Sequence, residues 1–256
     1  MIAIIPARGG SKGLPNKNIK ILNGLPLIAH TILAAKKSKN ISRVIISTDN
    51  YEIATVAKDF GAEVPFMRPE HLATDASLAI DAYEYTINRL EANDGISINN
   101  FVVLQPTSPL RTCEDIDFAI ELFKQKKAFS VISFCKEHHP ISWHKYIDTD
   151  GKISSVFEDK LQNRQDVKPT YFPNGAIYVM NRKVFETRNY YSDDTYAFIM
   201  DRMNSVDIDT IDDFLYAEFL YTVCEKIPSC FSAGSAMILI VPLNNPPMYS
   251  VWLLFL

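Results

Sequence analysis

The chain has 256 residues, of which 47% are hydrophobic and 22% charged, and this composition excludes a disordered or collagen-like protein. Its 26 basic and 30 acidic side chains give a formal net charge of -4, so it has no basic excess for binding a nucleic-acid backbone. A phosphate-binding site must therefore be a local cluster of cations. The four cysteines form no C-x-x-C pair and the first residues lack the pattern of a secretion signal, which predicts a cytoplasmic protein.

The composition changes abruptly at Ile227. Every charged residue precedes it, and residues 227–256 carry no charge. The apolar runs in this tail are short and separated by prolines and asparagines, whereas a membrane-spanning helix needs about 20 mostly apolar residues. We therefore expect one domain over residues 1–226 and no membrane anchor. The tail is expected to lie outside the fold, as a poorly ordered extension or the product of an altered reading frame.

Short apolar runs alternate with helical patterns along the first half of the chain. Strands are predicted at residues 2–6, 44–47, 63–66, 101–104, 129–134 and 175–180, and helices at 26–37, 53–60, 78–90, 114–124 and 214–225. This alternation predicts an α/β fold of three layers, with a mostly parallel sheet covered by helices on both faces. Because ligands bind beyond the carboxyl ends of such strands, the loops at Arg8, Asp49 and Gln105 are expected to face one crevice.

Residues 137–172 interrupt the alternation. They are mostly polar, contain Pro140 and Pro169, and show little helical periodicity. A segment of this kind inside a compact domain is typical of a functional or partner-binding insertion. Its three histidines (His138, His139 and His144) have no cysteine or carboxylate to complete a zinc site, so none is expected.

The first loop, PARGGSKGLPNKN, combines three cations with several glycines. Arg8, Lys12 and Lys17 supply positive charge, and the glycines let backbone N–H groups approach anionic oxygens, which suits a triphosphate. The spacing matches neither a Walker motif nor the dinucleotide fingerprint. A solvated basic turn is the alternative interpretation, and the position of the loop directly after the first strand disfavours it.

Two carboxylates alternate with apolar residues in Val206-Asp207-Ile208-Asp209. Residues i and i+2 of an extended segment share a face, so Asp207 and Asp209 can reach one hard cation, for which magnesium is the natural candidate. The alternative is an acidic helix start. We prefer that alternative for Asp212 and Asp213, with Thr210 and Asp213 as a variant capping box.

Six motifs occur in order along the chain: IPARGGSKGLPNKNI at its start, STD at residues 47–49, LQPTSPLRT at 104–112, EHHP at 137–140, PNGAIY at 173–178 and SVDIDT at 205–210. Over residues 1–226 this set resembles the acylneuraminate cytidylyltransferases, the CMP-sialic acid synthetases. Kdo cytidylyltransferases share the general fold but have a different first loop. The resemblance implies a Rossmann-like nucleotidyltransferase fold and a homodimer in which residues 137–172 are a dimerisation excursion exchanged across a two-fold axis.

The resemblance also implies roles for individual residues. It assigns the CTP phosphates to Arg8, Ser11, Lys12, Lys17 and Asn18, and the region of the nucleotide base to Arg68 and Ser77. It assigns the sugar pocket to Gln105, Thr107, Arg111, Asn174 and Tyr178, with Arg164 contributed by the excursion. It assigns Mg²⁺ to Asp207 and Asp209, and the catalytic roles to Arg8, Lys17 and Asp209.

The implied reaction joins CTP to an acidic nine-carbon sugar of the sialic type. Its anomeric hydroxyl attacks the α-phosphorus and pyrophosphate leaves, with either Asp209 or a metal-bound water taking the proton. Family members often have a lysine directly after HHP-x, where this chain has Ser142, Trp143 and His144 before Lys145. The acceptor therefore stays open, with legionaminic acid as an alternative. A non-catalytic sugar-nucleotide sensor and an interaction protein that uses residues 137–172 are the alternatives from other classes.

Overall fold

The computed structural model describes residues 1–10, 13–157 and 167–226, with backbone only for residues 224–226. Ser11, Lys12, Arg164 and the tail at residues 227–256 lie outside the described residues. The predictions made for them stay predictions.

The described chain alternates strands and helices as its sequence predicts. The α-helices are α1 (Leu27–Lys37), α2 (Tyr51–Asp59), α3 (Ala79–Asp94), α4 (Cys113–Lys126), α5 (Val184–Thr187) and α6 (Ile211–Lys226). The strands are β1 (Ile2–Pro6), β2 (Ile21–Leu22), β3 (Leu25–Pro26), β4 (Arg43–Ser47), β5 (Asn100–Leu104), β6 (Ser130–Lys136), β7 (Lys145–Ile147), β8 (Ile153–Ser155), β9 (Tyr171–Asn181) and β10 (Thr195–Ile199).

A six-stranded sheet with the order β10-β6-β9-β5-β1-β4 forms the centre of the molecule. Strand β1 is parallel to both β4 and β5, and β10 is parallel to β6. Strand β9 is antiparallel to both its neighbours, β5 and β6. The prediction of a mostly parallel sheet is confirmed, and the carboxyl ends of β1, β4 and β5 lie at one edge of it.

Both faces of the sheet are buried, as the alternating residues of β1 show. Ala3 and Ile5 join a core with residues of α1, α2 and α4 on one face. Ile2 and Ile4 join a second core on the other face, with residues of α3 and α5. Successive strand residues point to opposite faces, so a strand buried on both faces reads as a continuous apolar run. The predicted three-layer arrangement is therefore confirmed.

Two strand predictions differ from the structure. The expected strand at residues 63–66 is reduced to a single bridge between Ile45 and Glu63, because Pro65 has no N–H to continue the ladder. The sequence analysis did not predict β10, and it placed the start of β9 at residue 175 rather than at Tyr171.

Residues 137–170 connect β6 to β9, as an insertion between two neighbouring strands, and the last two residues of the predicted excursion, 171 and 172, belong to β9. Their described part contains the hairpin of β7 and β8, and every residue of these two strands is exposed. The hairpin therefore extends away from the core of its own chain. No helix among the described residues has the length and apolar character needed to cross a bilayer.

Candidate active site

An open cavity of about 660 Å³ lies beyond the carboxyl ends of β1 and β5. Its walls include many of the residues that the sequence analysis assigned to the site. These are Arg8, Lys17, Asn18, Arg68, Ser77, Gln105, Thr107, Asp207 and Asp209. The fold thus brings four separate stretches of sequence to one cavity. Arg8 and Gln105 line it as expected, but Asp49 does not, because its carboxylate accepts from the Gly9 N–H.

Hydrogen bonds fix the backbone of the first loop. The Gly9 N–H donates to Oδ1 of Asp49 at 3.0 Å, so the loops after β1 and β4 are joined directly. The side-chain amide of Asn18 donates to the carbonyl of Arg8 at 3.0 Å. Asn18 is buried, and its Oδ1 has no hydrogen-bond partner among the described residues. These contacts hold Arg8 and Asn18 on the cavity wall without using the Arg8 guanidinium.

Asp207 and Asp209, which we call the acid pair, face the cavity as their spacing predicts. The Lys17 ammonium donates to the carbonyl of Ile208 at 2.7 Å and to Oδ1 of Asp209 at 3.0 Å. Lys17 therefore connects the first loop to the acid pair. Asp207 is accessible from the cavity, but the surrounding walls displace part of its hydration and this raises the pKa of its carboxyl. The negative charge of Asp209 acts in the same direction, whereas Thr107 and Lys17 oppose it.

Two glycines allow the close approach of these segments. A Cβ at position 13 would collide with the backbone carbonyl of Asp209, so the first loop can reach the acid pair only with Gly13. Gly175 has φ of +75°, which side chains disfavour, and a Cβ there would lie 3.6 Å from Oδ2 of Asp207. Gly13 is thus explained by its close contact with the acid pair, and Gly175 by its backbone conformation.

Arg68 and Ser77 lie on the cavity wall assigned to the nucleotide base. Arg68 is 7% exposed, its Nε donates to Oγ of Ser47 at 3.1 Å, and burial lowers the pKa of its guanidinium. Ser77 Oγ donates to the carbonyl of His71 at 2.7 Å and accepts from the Thr74 N–H at 3.2 Å. Ser77 therefore stabilises its own loop.

Arg111, which the sequence analysis assigned to the sugar pocket, is not among the residues that line the cavity. Arg111 is 2% exposed, and its guanidinium donates to the carbonyls of Gln105 and Ala176 at 3.1 and 2.8 Å and to Oγ1 of Thr31 at 2.6 Å. Burial lowers its pKa to about 10. These contacts fix the loop of Gln105, which lines the cavity, so the geometry favours a positioning role for Arg111.

Asn174 and Tyr178 of β9 are not among the residues that line the cavity. Asn174 is 3% exposed; its Oδ1 accepts from Oγ of Ser133 at 2.6 Å, and its amide donates to Oγ of Ser205 at 2.9 Å. It thereby fastens the segment that leads into the acid pair. Burial raises the pKa of Tyr178 to about 12, with further contributions from Tyr191, Tyr190 and Asp207.

Several cavity residues were not found from the sequence. Thr74 and Asp75 belong to the loop before α3, and Tyr83 lies on α3 itself. Asp75 Oδ1 lies 2.8 Å from Nη1 of Arg8. Tyr83 is 3% exposed and burial raises the pKa of its hydroxyl. No local pattern marks these residues, because a polar loop and a helical tyrosine are common in any α/β protein.

The acid pair has the chemistry of a partial site for a hard cation. Among the described residues no cluster of three or more His, Cys, Asp or Glu side chains is arranged to hold a metal. Mg²⁺ is commonly held by one or two carboxylates, with substrate phosphates and waters as its other ligands. Two neighbouring carboxylates beside the predicted phosphate-binding loop fit that pattern.

A family model described as Cytidylyltransferase matches residues 2–227. The chain belongs to this family. It is 38% identical to the CMP-N,N'-diacetyllegionaminic acid synthase of Legionella pneumophila over 86% of this chain and 95% of that protein. It is 37% identical to the N-acylneuraminate cytidylyltransferase of Streptococcus agalactiae serotype V over 88% of this chain, but it spans only 55% of that protein.

A solved structure shares the fold of this cytidylyltransferase. It is a CMP:2-keto-3-deoxy-manno-octonic acid synthetase complexed with CTP, with a TM-score of 0.61 over 88% of this chain and 99% of that one. The two sequences are 15% identical, so the likeness bears on the fold alone. It agrees with the nucleotidyltransferase architecture expected from the sequence.

Proposed function

We propose that this cytidylyltransferase transfers CMP from CTP to the anomeric hydroxyl of a nonulosonic acid and releases pyrophosphate. The observation that carries the proposal is the direct contact of the first loop with the acid pair, through Lys17 and Gly13, in one cavity. Two of its relatives carry the names of enzymes for acids of this class. Because CTP is an intracellular metabolite, we place the enzyme in the cytoplasm.

The proposed chemistry demands alignment and charge neutralisation more than covalent catalysis. Arg8, Lys17 and Asn18 would bind the phosphates of CTP from one wall of the cavity. The hydroxyl oxygen of the sugar forms a bond to the α-phosphorus, and the bond from that phosphorus to the bridging oxygen of pyrophosphate breaks. The hydroxyl proton passes to Asp209 or to a water. Holding attacker and leaving group in line supplies much of the rate.

Mg²⁺ is the cation that we assign to the acid pair. When bound, it would neutralise negative charge on the phosphates. The position of both carboxylates on the cavity lining supports this assignment, because two neighbouring carboxylates and a triphosphate repel one another until a cation is present. Asp207 and Asp209 would hold the ion through their carboxylate oxygens.

We assign the acceptor sugar to the class of nine-carbon acids and do not choose one acid within that class. Gln105 and Thr107 line the same cavity as the acid pair, and we assign the contacts with the acceptor sugar to them. Lys145, the first lysine after HHP-x in this chain, lies on the exposed strand β7, donates to Oγ of Ser155 at 2.9 Å and is not part of the cavity lining. Both N-acetylneuraminic acid and legionaminic acid therefore belong to the proposal.

A substrate panel tests the proposed function. Pyrophosphate release would be measured with CTP, UTP, ATP and GTP against N-acetylneuraminic, legionaminic and pseudaminic acids and the eight-carbon acid Kdo. We expect turnover with CTP and at least one nine-carbon acid. Turnover with Kdo alone would move the chain to another substrate class. Tight binding of CTP and sugar without turnover would instead support the non-catalytic sensor.

We further propose that the enzyme is a homodimer joined through residues 137–172. The described part of this excursion exposes a row of large apolar side chains that the rest of the described chain leaves uncovered. They include Trp143, Tyr146, Ile147 and Ile153, which are 49%, 62%, 71% and 65% exposed. Adjacent exposed apolar residues of this kind mark an interaction surface, and the resemblance implies a second copy as the partner.

Replacing Ile147 and Ile153 by lysine tests the dimer. Light scattering after size exclusion should show a dimer for the wild type and a monomer for the double variant, because two buried charges oppose association. Arg164 is assigned to the pocket of the partner, so the monomer should also lose activity. A monomeric wild type with full activity would contradict the proposal.

A further inference from the structure

We infer that Asp75 competes with the phosphates of the nucleotide for Arg8 and thereby limits how tightly the enzyme binds both CTP and pyrophosphate. The inference rests on the proposed function, in which Arg8 binds phosphate. It assigns a role in ligand affinity to a residue outside the six sequence motifs.

The contact joins two walls of the cavity. Nη1 of Arg8, from the loop after β1, lies 2.8 Å from Oδ1 of Asp75, from the loop before α3. Both residues line the cavity, and their side chains are 36% and 47% exposed. A ligand phosphate that takes the Arg8 guanidinium must therefore either displace Asp75 or accept a carboxylate beside it. Displacing Asp75 breaks its ion pair with Arg8, and keeping it places a carboxylate beside a phosphate of like charge. Both outcomes weaken binding.

The loop that carries Asp75 is internally bonded. Oγ1 of Thr74 lies 2.7 Å from Oγ of Ser77, which also donates to the carbonyl of His71 at 2.7 Å. Upstream, the Arg68 N–H donates to the carbonyl of Thr48 at 2.7 Å and ties the segment to the end of β4. These bonds present the Asp75 carboxylate at a defined position, so moving it away from Arg8 carries a cost.

Asp75 and Asp209 differ in what happens when a phosphate takes their basic partner, which is Arg8 for Asp75 and Lys17 for Asp209. Asp209 belongs to the acid pair and gains a cation in the proposed complex, which compensates for the loss of Lys17 to a phosphate. Asp75 lies outside the acid pair, so the proposed cation does not replace Arg8 as its partner while a phosphate occupies Arg8. The ion pair forms again as pyrophosphate leaves, which favours product release.

The variant Asp75→Asn tests the inference, because it removes the charge and keeps the size. Asp81→Asn is the matched control: it removes the same charge from α3, but Asp81 pairs with Arg188 instead. Affinities of the full chain for CTP and for pyrophosphate would be measured by titration calorimetry at low and high salt. An exposed ion pair contributes about 0.2–1 kcal/mol, so Asp75→Asn should bind both ligands up to about 5-fold more tightly.

The expected pattern is tighter binding at low salt for Asp75→Asn, a smaller gain at high salt, no change for Asp81→Asn, and a lower KM for CTP. Unchanged or weaker binding would overturn the inference and make Asp75 a residue that orients Arg8. An equal gain in Asp81→Asn would also overturn it, in favour of a general charge effect. Asp75→Ser should repeat the result should the Asn variant fold poorly. Absence of CTP binding by the wild type would instead contradict the proposed function.

Discussion

Asp207 and Asp209 have different surroundings although one residue separates them. Asp209 is 75% exposed and pairs with Lys17, whereas Asp207 contacts Thr107 and lies near Tyr178. The pKa of Asp207 is raised, first because the cavity walls displace part of its hydration and then by the charge of Asp209. These surroundings disfavour its charged form, which the proposed cation would favour.

Replacing either member of the acid pair by asparagine should lower turnover by orders of magnitude. Each change removes a charged ligand for a hard cation and disturbs the alignment of the phosphates. Asp212→Asn serves as the control, since Asp212 carries the same charge at the start of α6 and lies outside the cavity lining. Turnover would be measured across a magnesium titration. Near-normal rates in both variants would reduce the pair to a structural role.

The raised pKa of Asp207 gives two pH effects of defined sign. Cation binding needs the charged carboxylate, so activity should fall as the pH decreases through this raised pKa. Stability changes in the opposite direction: the folded state binds this proton more tightly than the unfolded chain, so the contribution of Asp207 to stability decreases as the pH rises through the folded-state pKa. Without magnesium at neutral pH, Asp207→Asn should therefore unfold at the same or a higher temperature. A lower unfolding temperature would contradict this.

Replacing Arg111 should lower the free energy of unfolding and have only a small effect on sugar binding. Its guanidinium donates to three acceptors. Arg111→Met would remove the buried bond to the Ala176 carbonyl and leave the Gln105 carbonyl with only its two 3.4 Å bonds from Thr31 and Ser108. We expect a loss of about 1–3 kcal/mol in the free energy of unfolding, measured with urea. The KM for the sugar should rise only modestly. A stable variant with a strongly raised sugar KM would instead restore the predicted contact between Arg111 and the substrate.

The N-terminus of α6 shows how a helix start can position a functional residue. Thr210 and Asp213 form the capping box that the sequence predicts. Oδ2 of Asp213 also accepts from the Asp209 N–H at 3.1 Å, so the cap fixes the backbone of the acid pair. The helix and the site thus share one hydrogen-bonding carboxylate.

Asp213→Ala should therefore cost both stability and turnover. Asp115→Ala is the matched control, because Asp115 closes the corresponding capping box of α4, outside the cavity lining. Loss of a capping interaction typically costs about 1 kcal/mol, so thermal unfolding should change by similar amounts in the two variants. Turnover should fall clearly in Asp213→Ala alone. Equal turnover in the two would show that the cap does not position Asp209.

Elements whose pattern is local could be predicted from the sequence, and those decided by tertiary contacts could not. Strand β1 and helix α1 follow from apolar periodicity, and the rule for parallel sheets correctly placed Arg8 and Gln105 at one cavity. Strand β10 is half-exposed at the sheet edge and has only a weak pattern. The burial of Arg111 and the approach of Asp75 to Arg8 depend on segments far apart in sequence, and nothing in the sequence near them signals either contact.

At the scale of the whole molecule, the six motifs and the central sheet are complete before residue 227. Truncation after Lys226 should therefore retain activity and improve solubility, since an uncharged tail favours association. Activity and light scattering would be compared between the full and shortened chains. On helix α6, the side chains of Leu215 and Phe219 are 54% and 60% exposed. Loss of folding on truncation would show that the tail contributes to the domain.

The most direct test of the account follows the α-phosphorus through the reaction. The full chain would be incubated with CTP labelled at the α-phosphate, Mg²⁺ and a nine-carbon acid sugar, and the products separated. The account predicts that the label enters a CMP-sugar in amounts equal to the pyrophosphate released, and that Asp209→Asn abolishes both. Pyrophosphate release with the label in free CMP, or no turnover with any nine-carbon acid, would contradict it.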